Sequence, residues 1–317
     1  MSGKTVAHSV VEPTAAGRRF AALLVALYAL IAMVPLAWIV LTGFKSPPDS
    51  ISYPPKAIFQ PTLEGYVNLF TTRSRQTDEY IESLGPPTTW YDSLVRSRNM
   101  VITGPSRFAD RYLNSIIIGF GSTFLAVFLG TLAAYGFSRF KVPLKDDLLF
   151  FILSTRMMPP IAVAIPIYLM YRTLGLSDTA LGMILLYTAV NVSLAVWLLK
   201  GFIDEIPMEY EEAAVVDGYS RLQAFWKVVL PQARAGIAAT AIFCLIFAWN
   251  EYAFALLLTS GEAQTAPPFI PIIIGEGGLD WPAVAAGTTL FLLPIVFFTV
   301  LLRRQLLRGI TFGAVRK

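Results

Sequence analysis

Apolar residues in this chain gather into long runs instead of alternating with polar ones, and six runs reach bilayer-spanning length. A helix needs roughly 20 consecutive apolar residues to cross the hydrocarbon core. The runs are Phe20–Thr42, Leu113–Ser138, Leu148–Tyr171, Thr179–Leu199, Ala235–Thr259 and Trp281–Leu302. Four hold no charged residue; the third holds Arg156 and the fifth Glu251. Each run must be helical in lipid, because no water there satisfies backbone N–H and C=O groups. The pattern predicts an all-α membrane protein: one transmembrane domain over residues 20–302 with six transmembrane helices, and tails at 1–19 and 303–317. The first run is longer than a signal-peptide core, and Phe44-Lys45-Ser46-Pro47 offers no small-residue cleavage site. It is expected to stay as a helix.

The polar stretches between the runs are unequal. Residues 43–112 form a long segment that opens with Pro47, Pro48, Pro54, Pro55 and Pro61. Two short helices are expected in it, Gln76–Leu84 and Tyr91–Met100, forming a small cap or a partner surface. Lys and Arg set the orientation. With both termini inside, the inner segments hold fifteen of them, from Lys4 to Lys317, whereas the short outer loops hold only Arg172. Loops beyond about 60 residues count little toward this bias, so residues 43–112 do not alter it. Both termini and residues 200–234 are expected in the cytoplasm, and 43–112 on the periplasmic side.

Composition narrows the function. Of 317 residues 55% are apolar and 15% charged, against about 25% charged in soluble domains. The net charge of +4 sits beside the spans and calls for no nucleic acid. Cys244, the single cysteine, allows no disulfide within the chain, and His8, the single histidine, allows no histidine-based metal site or triad. No G-x₄-G-K-[ST] phosphate loop occurs, so any energy that drives the protein comes from elsewhere.

Residues 200–234 carry the most specific pattern. Pro207 suits a first helical turn, and Glu209, Glu211 and Glu212 place negative charge near the positive end of that helix. Gly218 is placed to stop the helix with a left-handed residue. Ser220 and Gln223 have capping-box spacing for a second helix, Arg221 to about Val229, expected to end near Pro231. Ala213 and Ala214 would let a partner backbone approach closely. The plainer alternative is a helix pair lying on the bilayer, but the acidic first helix is poorly suited to anionic headgroups.

Glu212-Ala213-Ala214, three residues, Gly218, nine residues, then Val228-Val229-Leu230-Pro231 resembles the cytoplasmic EAA loop of ABC importer permeases. Trp249-Asn250-Glu251-Tyr252 resembles a stretch of the sugar-type permeases, as do Arg156-Met157-Met158-Pro159-Pro160 and Ile165-Pro166-Ile167-Tyr168. Gly309–Lys317 is similar to a tail that reaches the ATPase interface in the maltose-type permeases. Segment 43–112 is longer than the family's usual loop and matches nothing in it.

The resemblance implies a type I ABC importer permease fold in a bacterial inner membrane. It implies a homologous second permease, two ATPase subunits that bind the ATP and magnesium, an extracytoplasmic solute-binding protein and a small sugar or sugar derivative as solute. The chain itself would bind no cofactor and catalyse no bond chemistry. ATPase coupling would fall to Glu211, Glu212, Ala213, Ala214, Asp217, Gly218, Leu230 and Pro231, with Gly309, Thr311 and Gly313 as a further ATPase contact. The solute path would be walled by Trp249, Asn250, Glu251 and Tyr252. Glu251 has two readings, a path residue facing solute hydroxyls or a structural hydrogen bond to a neighbouring helix or Arg156, since a carboxylate at depth costs about 2.5–3.5 kcal/mol. An ABC permease for a non-sugar solute and an ion-coupled secondary transporter are the alternatives.

Overall fold

The computed structural model describes residues 15–275, 278–301 and 303. It opens with α1, Ala15–Thr42, which packs chiefly against the last helix and has no buried residue of its own. Lys45, just past its end, lies under the Trp38 ring at 3.8 Å, and burial pushes its ammonium pKa down, partly offset by Asp49.

Residues 43–107 fold into a lobe. It contains α2 (Pro47–Ser50), α3 (Glu64–Phe70), β1 (Thr71–Arg75), α4 (Asp78–Ser83), α5 (Trp90–Arg96) and β2 (Met100–Pro105). Thr77 and Thr89 cap α4 and α5 through their side chains; α4 falls within the expected Gln76–Leu84, whereas α5 stops at Arg96, short of the expected Met100, which begins β2. The antiparallel β1–β2 hairpin, with a bulge at Thr72/Arg73, was not foreseen. Its strands TTRSR and MVITGP lack apolar alternation, and their pairing is non-local.

The lobe is seated on α15 (Trp281–Leu301), the sixth expected span. Asp280, buried just before it, accepts from Asn68 Nδ2 at 2.9 Å and Arg73 Nη2 at 3.0 Å, and from the Ala283 N–H at 3.1 Å. Arg98 pairs with buried Glu64 at 3.2 Å. At Gly65 an added Cβ would lie 2.7 Å from the Gly43 carbonyl oxygen and 2.8 Å from that of Pro282. Only glycine permits this approach.

The bundle is centred on α6 (Phe108–Arg139) and α9 (Ala180–Asp204), which share the most extensive helix contact. Gly130 explains its closeness: a Cβ there would meet the Ala195 Cβ at 2.5 Å. Between them, the third expected span is not one straight helix. It is α7 (Lys145–Ser154), a 3₁₀ turn at Thr155–Met157, and α8 (Pro160–Leu174), bent by 93° at the break. Met158 and Pro159 both precede a proline, a position disfavoured for α geometry, and both are extended.

Beyond α9 come α10 (Glu209–Val216), α11 (Arg221–Ala224), a π turn at Phe225–Val229 and α12 (Leu230–Trp249). The second loop helix therefore does not end at Pro231. The ladder slips to i−5 just before it, with Leu230 N–H on the Phe225 carbonyl, and Pro231 falls in the next first turn, where no donor is needed. The fifth expected span also breaks, at Asn250–Tyr252, followed by α13 (Ala253–Leu258), α14 (Ala266–Phe269), a 3₁₀ turn at Ile270–Ile272, and the short strands β3 (Ile274–Gly275) and β4 (Gly278–Leu279). Among the described residues five helices are long and apolar enough to cross a membrane, and six spans result if the bent α7–α8 pair counts as one.

Candidate coupling loop and path wall

The loop between α9 and α12 is made rigid by its own ends. Gly218 has φ +93°, and α10 closes on it with Tyr219 N–H to the Ala214 carbonyl and Gly218 N–H to that of Val215, both 3.0 Å. This is a Schellman termination. Two residues later Ser220 Oγ accepts from Gln223 N–H at 3.2 Å, while Gln223 Oε1 accepts from Ser220 N–H at 2.8 Å. The capping box starts α11 immediately, so no slack separates the helices.

The faces of α10 divide the residues named from sequence. Glu212, Ala213, Asp217 and Gly218 are exposed, as is Pro231; Leu230 is half-buried. Glu211 and Ala214 are buried against the chain itself and do not belong to the outward surface. Glu211 Oε2 accepts from Tyr135 Oη at 2.9 Å, its Oε1 pairs with Arg139, and Arg139 Nη2 donates to the Ile206 carbonyl at 2.8 Å. Arg139 and Tyr135 were not singled out from sequence as site residues. They lie one helical turn apart on α6, but only the fold brings that face to α10.

Beside exposed Glu209, Glu212 and Asp217, the outward face carries large apolar side chains. Val216 is 87% exposed and Leu222 66%, with Met208, Tyr210, Val215 and Tyr219 also exposed. A cleft of about 280 Å³ opens between α6, α10 and α11, walled by Tyr135, Arg139, Glu211, Glu212, Val216 and Arg221. Below the surface, Phe225, Val229 and Ile206 pack into one core with Ala195, Leu199 and Ile203 of α9. An apolar face on a rigid base is a protein-docking surface in form.

The path wall is rearranged relative to expectation. Trp249 is 2% exposed, stacked on Phe291 at 4.9 Å with its indole N–H on the Phe291 carbonyl at 3.0 Å; it is a packing residue. Asn250 and Tyr252 are exposed. Glu251 is half-buried at the helix break, where Oε2 accepts from Tyr187 Oη at 2.7 Å and Ala255 N–H at 3.1 Å, and Oε1 from Phe254 N–H at 2.9 Å. These donors offset its desolvation. Of its two readings, the hydrogen bond to a neighbouring helix is present. Arg156 is not its partner; the guanidinium lies over the Phe247 ring at 4.1 Å. Gly309, Thr311 and Gly313 lie outside the described residues, and among the described residues no acid, histidine or cysteine cluster could hold a metal.

Five or six candidate spans among the described residues, joined by a doubly capped loop, have the form of a membrane component of a transport system. The chain belongs to the family of binding-protein-dependent transport system inner membrane components, which it matches over residues 126–311. It is 33% identical to a probable ABC transporter permease protein, y4oR, of Sinorhizobium fredii, over 91% of this chain and 92% of that one. It is 39% identical to the trehalose transport system permease protein SugB of Mycobacterium tuberculosis, over 66% of this chain and 77% of that one. Among solved structures, a bacterial ABC transporter importing the acidic polysaccharide alginate superposes with TM-score 0.66 over 92% of this chain and 98% of that one, at 20% identity. The chain is thus an ABC importer permease, a multi-pass inner-membrane subunit and not an enzyme. This removes the ion-coupled alternative.

Proposed function

We propose that this permease serves a carbohydrate importer, forming half of the solute path with a homologous second permease and receiving the closure of two ATPase subunits through residues 205–229. A binding protein delivers the solute to the lobe side, and both termini lie in the cytoplasm. The observation that carries the coupling role is the loop itself: capped at both turns, cored beneath, and apolar outward at Val216 and Leu222. Glu212, Ala213, Asp217 and Gly218 form its outward contact, and the tail residues Gly309, Thr311 and Gly313 add a second. The sugar class is supported by the kinship to the trehalose permease and by the Trp249–Tyr252 stretch.

Reconstitution with the second permease, the ATPase and the binding protein tests this directly. ATP-dependent uptake is expected for a ligand drawn from a panel of di- and oligosaccharides, amino acids and phosphate. Uptake confined to amino acids or phosphate removes the sugar reading. Cysteines placed at Glu82, on the lobe, and at Asp217 test orientation in intact cells, where buried Cys244 gives little background. Glu82 should react with an impermeant maleimide and Asp217 should not; the reverse pattern overturns the orientation and the coupling role with it.

A further inference from the structure

We infer that Arg139 is a positioning residue that braces α10 to α6, so that force on the loop moves a third helix as well as the two joined to it by the chain. The loop is covalently continuous with α9 and α12 only. Within α10 just Glu211 and Ala214 are buried, so apolar packing alone anchors this eight-residue helix weakly. Both carboxylate oxygens of Glu211 are taken by α6, one by Arg139 and one by Tyr135 at 2.9 Å. The same guanidinium reaches the Ile206 carbonyl at 2.8 Å, fixing the entry to α10 as well as its first turn. Side-chain exposures of 7% for Arg139 and 10% for Glu211 leave the pair mostly desolvated, on the wall of the cleft between α6 and the loop. A planar fork that satisfies a carboxylate and a carbonyl at once defines an orientation, which a lysine cannot reproduce. From α6 the displacement passes to α9 through the close approach at Gly130 and Ala195. In this reading α10 and α6 travel as one rigid body between the two access states.

The inference rests on the ATPase docking at this loop, and the test separates the two. The complete importer is reconstituted with wild-type chain, Arg139→Met and Arg139→Lys, and solute moved per ATP hydrolysed is measured beside co-purification of the ATPase. Arg139→Met should retain the ATPase yet lower solute per ATP by about fivefold or more, the lower end of ordinary allosteric couplings. Arg139→Lys should fall between. Spin labels at exposed Glu209 on α10 and Leu129 on α6 should keep one separation with and without ATP in the wild type, and change it with ATP in Arg139→Met. If Arg139→Met fails to assemble, Glu211→Gln, which keeps an acceptor for Tyr135 but loses the charge, should show a smaller fall in the same ratio. Unchanged solute per ATP in the assembled variant, or an ATP-dependent separation in the wild type, overturns the brace. A wild-type chain that never co-purifies with the ATPase overturns the docking reading, and the brace as a coupling element with it.

Discussion

The lobe and the loop sit on one chain but are held by opposite means. The lobe is tied to α15 through Asp280, which gathers Asn68, Arg73 and the Ala283 N–H, and α3 is backed by the Glu64–Arg98 pair. The loop owes its shape to bonds within itself, at Gly218 and at Ser220–Gln223, and meets α6 through the Arg139–Glu211–Tyr135 cluster and the packing of Phe225 and Val229 on Val127 and Ala134. A part fused to its support along a broad front holds its position. A part that is stiff inside but joined at few points can transmit motion as a lever.

Damage should therefore spread at the lobe and stay local at the loop. The largest effect is expected for Asp280→Ala, which strands Arg73 in a site where its side chain is 9% exposed. Breaking a buried pair from one side costs about 3–5 kcal/mol. Thermal unfolding in detergent should drop, and limited proteolysis should release the lobe first; an unchanged profile would mean the lobe does not depend on this contact. Gly218→Leu comes next, at roughly 1–2 kcal/mol for a side chain in the left-handed region. Nothing lies within 4 Å of a Cβ there, so the cost is backbone strain without a clash. Protein level should hold while stimulation of the ATPase by loaded binding protein falls; if both stay normal, the shape of the turn is irrelevant to coupling.

Ser220→Ala removes one half of the capping box and should cost about 1 kcal/mol. Deuterium exchange should quicken at Gln223 and its neighbours and leave the lobe as it was. Equal acceleration in both regions would contradict the contrast drawn between them. The smallest effect is expected for Lys200→Ala, which removes an i,i+4 pair with the half-exposed Asp204, worth about 0.3–0.5 kcal/mol. A loss several times larger would show that the junction of α9 with the loop is a third load path.

The features legible in sequence were those whose cause is local. Long apolar runs marked the spans, Gly218 marked a left-handed stop, and Ser220 with Gln223 marked a helix start. The third span reads as one helix in sequence; its break at Pro159-Pro160 and the 93° turn there depend on what each half packs against. Glu251 looked like a polar residue inside a continuous helix, because the run from Ala235 to Thr259 shows no gap in hydropathy; the carboxylate itself caps the segment that follows the break. Trp249 looked like a wall of the path until Phe291, from another span, covered it. Arg139 was visible only as one more inside charge. Apart from the local cap at Glu251, each of these depends on a neighbour distant in sequence, and the order of residue types does not record such neighbours.

The first described helix has its main contact with the last. Almost 240 residues separate the end of α1 from the start of α15. At about 5–20 residues per second, synthesis of that interval takes on the order of 12–50 s. Through that time α1 must persist in the bilayer without the helix it packs against. Its uninterrupted apolar run, with backbone groups satisfied within the helix except at the Ile31 carbonyl that Pro35 leaves without its usual donor, lets it wait.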